Sequence, residues 1–114
     1  MRQLKVIAAC AVLAVTLGLS PASAAEIKVG IDNFTFNPKD VKVKAGDTVV
    51  WTNNDDIPHT VASPQHQIRS KPLDTGESFS FTFTTPGEFK YFCSLHPHMT
   101  GTIVVKATGS NAPS

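Results

Sequence analysis

SFSFTFTTPGEFKYFC, residues 78–93, reads as strand, turn and strand. Ser78 to Phe83 alternates without a break, with Phe79, Phe81 and Phe83 on one side and Ser78, Ser80 and Thr82 on the other. Successive side chains of a strand leave the backbone in opposite directions, so a strand with one buried face imposes this period of two. Thr85-Pro86-Gly87 then turns the chain, and Glu88 to Cys93 sets Phe89, Tyr91 and Cys93 on a common face. The pattern recurs outward from this stretch. Ile27, Val29 and Ile31 alternate with Glu26, Lys28 and Gly30, and Val41 and Val43 flank Lys42. After the turn Ala45-Gly46-Asp47, the strand Thr48 to Asn53 places Val49, Trp51 and Asn53 together, and Thr102 to Lys106 opposes Ile103 and Val105 to Val104. No segment after residue 24 sustains a 3.6-residue apolar period. Six or seven short strands between Gly, Pro, Asn and Asp turns predict an all-β Greek-key sandwich or barrel. Its phenylalanines, Phe34, Phe36 and Phe92 included, are expected in or against the core. Residues 62–77 (ASPQHQIRSKPLDTGE) are the least regular, a short edge strand or a surface loop.

The first residues determine where the domain works. Met1 to Lys5 carries positive charge, Val6 to Leu19 is an almost wholly apolar run of 14 residues, and Ala22-Ser23-Ala24 is a cleavage pattern. Residues 1–24 thus read as a cleaved secretory signal. Residues 25–107 form the domain, starting at Ala25 or Glu26, and 108–114 a flexible tail. The apolar run is short of the roughly 20 residues that span a bilayer, so no membrane insertion is expected. Cys10 sits in a superficial lipoprotein box, Ile7-Ala8-Ala9-Cys10, too close to Lys5 for processing there, and leaves with the signal. The predicted location is the periplasm.

Cys93 is then the sole thiol of the 90 residues that follow the signal. In an oxidising compartment a lone cysteine is buried and inert, pairs with another molecule, or holds a metal. Without Arg2 and Lys5, 8 basic side chains face 9 acidic ones, which leaves no field for nucleic acid. A chain of this size makes one domain, expected to be monomeric.

Cys93 also opens a dense cluster, since Cys93-Ser94-Leu95-His96-Pro97-His98-Met99 holds one cysteine, two histidines and one methionine in seven positions. With the thiol fixed at a strand end, a tight loop can bend His96 and Met99 back toward its sulfur. Thiolate plus thioether is a soft set that favours copper, whereas structural zinc takes four good nitrogen or sulfur donors. An electron-shuttling copper site uses two histidines, a cysteine and a weak axial methionine. The second histidine is sought in Trp51-Thr52-Asn53-Asn54-Asp55-Asp56-Ile57-Pro58-His59, whose strand leaves the sandwich at one end. Sequence alone does not place His59 beside Cys93.

Gly46-Asp47-Thr48-Val49-Val50-Trp51, Asn53, Pro58-His59 and Tyr91 to Gly101 together resemble the cupredoxins, the type 1 blue copper proteins. The resemblance covers roughly residues 26–106. The Cys-x2-His-x2-Met loop with Pro97 is most similar to the amicyanin branch, with plastocyanin-like loops longer. It implies an eight-stranded Greek-key sandwich with one copper ion held by His59, Cys93 and His96, and Met99 as axial ligand. Amicyanin-like loops commonly carry proline where this chain has Leu95 and an aromatic where it has His98.

Each residue also has a plainer reading. A lone cysteine is by itself more often a small buried hydrophobe, and Met99 a plug for the core's end. The matched spacing turns both toward metal. His66, between Gln65 and Gln67, reads as solvated surface; His98 reads as exposed on the loop, with a further donor role as its alternative. Asn53 either ties the His59 loop to Ser94 or is an ordinary turn asparagine. The predicted function is single-electron transfer through a Cu(II)/Cu(I) site. Transient redox partners would dock near His96, Leu95 and Pro97, with Ile57 as a further candidate. A periplasmic copper carrier or buffer is the alternative. An enzyme with a Cys93 nucleophile is not expected, because no oxyanion-hole motif or orienting acid accompanies it.

Overall fold

The structure is a computed structural model that describes residues 24–108. The expected signal and tail lie outside the described residues, except for Ala24 and Thr108 at their edges. The described chain forms nine strands: β1 (Glu26–Asp32), β2 (Thr35–Asn37), β3 (Asp40–Lys44), β4 (Thr48–Asn53), β5 (Ala62–Ser63), β6 (Ile68–Arg69), β7 (Ser78–Thr82), β8 (Gly87–Cys93) and β9 (His96–Lys106). They make two sheets, ordered β2-β1-β4-β7 and β3-β9-β8-β5-β6. β1 runs parallel to β4 and β3 parallel to β9, and the other neighbours are antiparallel. The Greek-key sandwich expected from the alternation is therefore the observed architecture. Among the described residues, no helix is long and apolar enough to cross a membrane.

The two strands of the 78–93 stretch do not pair with each other. β7 pairs with β4 in one sheet while β8 pairs with β9 in the other, so Thr85-Pro86-Gly87 carries the chain across the sandwich. The inward residues of both then meet, and Phe83, Trp51, Tyr91, Cys93 and Ile103 share one core with Val29, Ile31, Val49 and Val105. The strand count exceeds the expected six or seven because β2, β5 and β6 have only three, two and two residues, too few for a period of two to register. Residues 62–77 hold β5, β6 and a 3-10 turn at Pro64–His66. His66 is not free in solvent as expected; its ring packs 4.5 Å from that of Phe89. Phe34 departs from the core expectation, being 50 % exposed.

β1 and β4 run side by side in the same direction, from an end holding Ala25 and Asp47 to an end holding Asp55 and His59. Seven residues at about 3.3 Å each separate the two ends by roughly 20 Å. At the first end the buried Asp47 accepts the N–H of Ala25 at Oδ1 and that of Lys44 at Oδ2, both at 2.8 Å. Gly46, at φ +101°, permits the tight turn into that carboxylate.

Candidate metal centre

Cys93 closes β8 and pairs with His96, the first residue of β9, across the two residues Ser94 and Leu95. The next pair is Phe92 with Thr100, so Pro97, His98 and Met99 bulge from β9 without partners on β8. The bulge buries Met99, which is 5 % exposed, and leaves Pro97 and His98 outside. The tight loop expected after Cys93 is thus largely strand, because β8 pairs with it at His96 and again at Thr100 and Gly101. Gly101 is required by this packing: a Cβ there would lie 2.5 Å from Cζ and Oη of Tyr91 on the facing strand.

His59 arrives from the other sheet by way of a loop held at several points. Its N–H donates to the carbonyl of Leu73 at 3.2 Å, and the N–H of Leu73 returns a bond to its carbonyl at 2.7 Å. Asn53, fully buried, donates through Nδ2 to the carbonyls of Ile57 and Leu73 and accepts the N–H of Asp55 at Oδ1, each at 2.8 Å. Asn53 therefore braces the His59 loop, but its three bonds go elsewhere than to Ser94. Thr60 is Ser94's partner instead. Its Oγ1 accepts the N–H of Ser94 at 2.7 Å and lies 2.8 Å from Ser94 Oγ, so the two loops are latched directly.

The result is a cluster in which ligand atoms of His59, Cys93 and His96 all lie within 4.8 Å of one another. Cys93 Sγ is 3.8 Å from His59 Nδ1 and 3.6 Å from His96 Nδ1. His59 and Cys93 have no exposed surface, and His96 is half-buried. The N–H of Thr60 donates to the sulfur at 3.3 Å. Asp55 takes the far side of His59, with Oδ2 2.7 Å from Nε2. A carboxylate there keeps the ring proton on Nε2 and turns the Nδ1 lone pair toward the sulfur. Burial works against the charge on Asp55. The N–H groups of Phe34 and Asn33 and the His59 ring outweigh it and hold the carboxyl below its usual range.

The arrangement fits a metal ion. Nitrogen and sulfur donors about 2.0 and 2.3 Å from one first-row ion, with about 120° between them, stand about 3.7 Å apart. Both Cys93 separations already have that spacing. The cluster has no fourth imidazole, thiolate or carboxylate among the described residues, as tetrahedral zinc would require. Met99, buried in the bulge that follows His96, lines a pocket of about 380 Å³ together with His96 and Phe34.

Three residues at this end carried no metal signal in the sequence. Asp55 precedes His59 by four positions in a run of polar residues, and Thr60 is one of many threonines. Phe34 is the third: its ring meets those of His59 and His96 edge-on, with centroids 5.3 and 4.9 Å away. It occupies a two-residue turn between β1 and β2, in which Asn33 and Phe34 have φ of 54° and 57°. Such turns favour Asn then Gly, and the Asn at 33 was the only readable half of the signal.

The comparisons with known proteins agree with this geometry. A family model described as a cupredoxin-like domain matches residues 5–105. Amicyanin-alpha of Methylorubrum extorquens is 33% identical over 92 residues, 76% of this chain and 76% of that protein. The chloroplastic plastocyanin of Tetradesmus obliquus is 36% identical over 114 residues, 87% of this chain and 78% of the relative. A solved Cu(I) form of an amicyanin variant superposes with a TM-score of 0.68 at 32% identity, covering 75% of this chain and 86% of the other. With sequence, fold and a preformed cysteine–histidine cluster in accord, the chain belongs to the cupredoxins, a family of copper proteins.

Proposed function

We propose that His59, Cys93, His96 and Met99 hold one copper ion, and that the protein carries single electrons between redox partners in the periplasm. The observation that carries this reading is the cluster itself, three donor atoms from two separate loops within 4.8 Å of one another before any ion is considered. Bound copper would supply a one-electron Cu(II)/Cu(I) couple. The chain's part is to hold its donors still, since donors that do not move with the change of charge keep the reorganisation small. Asp55 fixes the His59 ring, Thr60 donates to the Cys93 sulfur and latches Ser94, and the pairing of Cys93 with His96 spans only two residues.

His96 is the route out. It is half-buried, and around it Leu95 (48 % exposed), Phe34 and Pro97 offer a small apolar rim, with Ile57 half-buried on the His59 loop. Transient redox encounters use small interfaces, and a patch of this kind suffices for one. Cys93 has no exposed surface, so it does not meet a substrate as a nucleophile would. The copper-carrier alternative rests on His98, exposed beside the centre, while His66 packs against Phe89 instead. Absorption of the copper-loaded chain tests the ligand set. An intense band at roughly 600 nm reports a Cu(II)–thiolate bond, and its absence refutes the assignment. Exchange with a chelator separates the roles, because a shuttle retains its copper through redox cycling and a carrier releases it.

A further inference from the structure

We propose that processing hydrolyses the Ala24–Ala25 peptide bond, and that the α-ammonium group freed at Ala25 becomes the ion-pair partner of the Asp47 carboxylate. In the cleavage the C–N bond breaks and water supplies both halves, its oxygen going to the Ala24 carbonyl carbon and its protons to the nitrogen. Ala24 leaves with a carboxylate, and Ala25 keeps an ammonium.

Sequence leaves Ala25 or Glu26 as the first residue, and the structure distinguishes them. Ala24 and Ala25 are exposed and precede β1, so the bond between them lies outside the sheet ladder. Ala25 itself is tied on both sides: its nitrogen lies 2.8 Å from Asp47 Oδ1, and its carbonyl accepts the N–H of Thr48 at 3.0 Å. Cleavage before Ala25 keeps both contacts and turns a neutral N–H donor into a cation. Cleavage before Glu26 removes both, leaving one oxygen of the buried Asp47 and the N–H of Thr48 without these partners. The carboxylate is already in place for a cation. Its second oxygen is fixed by the Lys44 N–H, the two amide bonds hold its pKa below the usual value, and a chain nitrogen has no side-chain rotamers to lose on pairing. The other charged groups at this end are Lys44, its strand partner Lys106, and Glu26 beside Ala25. The folded state thus gains this pair only once the signal is gone.

The Ala25 bond already has an ionised acceptor, and the ammonium adds the opposite charge; an ion pair at a partly exposed site should raise the folding equilibrium constant by roughly fivefold. Three measurements on the copper-loaded, exported protein test this. Intact mass is expected to place the first residue at Ala25; a start at Glu26 overturns the proposal. A chain beginning at Ala24 keeps the Ala25 amide but moves the ammonium away, and denaturant titration should find its folding constant roughly fivefold lower. That difference should vanish when both chains carry Asp47→Asn, and its persistence there overturns the pairing. If Asp47→Asn does not fold, NMR titration of the unaltered protein decides. An Ala25 amine titrating above the ordinary range of roughly 7.7–8.0 supports the pair, and one within that range overturns it.

Discussion

Asp47 and Asp55 stand at opposite ends of the sandwich, and each accepts two backbone N–H groups that would otherwise fray. Asp47 takes those of Ala25 and Lys44, and Asp55 those of Asn33 and Phe34, at distances of 2.6 to 2.9 Å. The difference is a third bond. Asp55 also holds Nε2 of His59, so the staple that closes the β1–β2 turn also orients a proposed metal donor, whereas Asp47 closes strand ends alone. One device therefore serves stability at one end and stability plus chemistry at the other.

The largest effect expected at the metal end comes from Cys93→Ser. The substitution removes the thiolate from a site where no disulfide depends on it, so the 600 nm band should vanish completely while far-ultraviolet circular dichroism keeps its β-sheet form. Loss of the fold along with the band would show that the two ends are not separable. Gly101→Ala acts on the core that joins them. The Tyr91 ring must shift to admit the methyl group, at a cost of about 1–3 kcal/mol measurable by denaturant unfolding. Because Gly101 neighbours the Met99 bulge, a changed copper spectrum should accompany that loss.

Replacing each aspartate by asparagine bears on the comparison directly. Each change weakens charge-assisted bonds to backbone N–H groups and should cost about 1–2 kcal/mol. Only Asp55→Asn should move the reduction potential, and upward, since a negative charge beside His59 favours the more positive ion. Asp47→Asn should leave potential and spectrum unaltered. Equal shifts from both would mean that the third bond carries no special weight. Acid provides the same comparison without mutation. Both carboxyls sit below their ordinary 3.8 when folded, so in that window the unfolded chain binds more protons. Their contribution to stability is complete above the unfolded value and is lost as pH falls through the folded ones. Each asparagine variant should accordingly show a shallower decline in stability below about pH 4 than the parent.

The sequence was legible where a single strand or loop carried the pattern. The alternation of 78–83 and 88–93, the core triplet Val49, Trp51 and Asn53, and the Cys93, His96, Met99 spacing all lie within a few residues of themselves. Where a contact joined separate stretches it was not legible. Sequence offers Asn53 as either a tie to Ser94 or an ordinary turn asparagine, and Thr60 makes the Ser94 bond, because parity gives the face of a residue but not its partner across two loops. β5 and β6 exist only through each other and the pairing of Ala62 with Phe92 of β8, and β9 extends to His96 because β8 holds it, none of which local composition records. Phe34 is expected in or against the core from its type alone, whereas its turn projects it, half-exposed, over the imidazoles.

Phe34 also gives the smallest and most selective test. A bulky residue in the left-handed region is strained by about 1 kcal/mol, and asparagine tolerates that region far better. Phe34→Asn relieves the strain but gives up the apolar contact of a half-exposed ring, also about 1 kcal/mol, so stability should change by less than about 1 kcal/mol. The ring lies edge-on to both imidazoles, and its removal opens the His96 side of the centre to water. Electron exchange with a small hydrophilic reagent should then quicken by a few-fold while exchange with an apolar-patch partner slows. If both rates moved together, Phe34 would belong with Asp47 among groups that only hold the fold, and the chemistry of this end would rest on Asp55, Thr60 and the ligands alone.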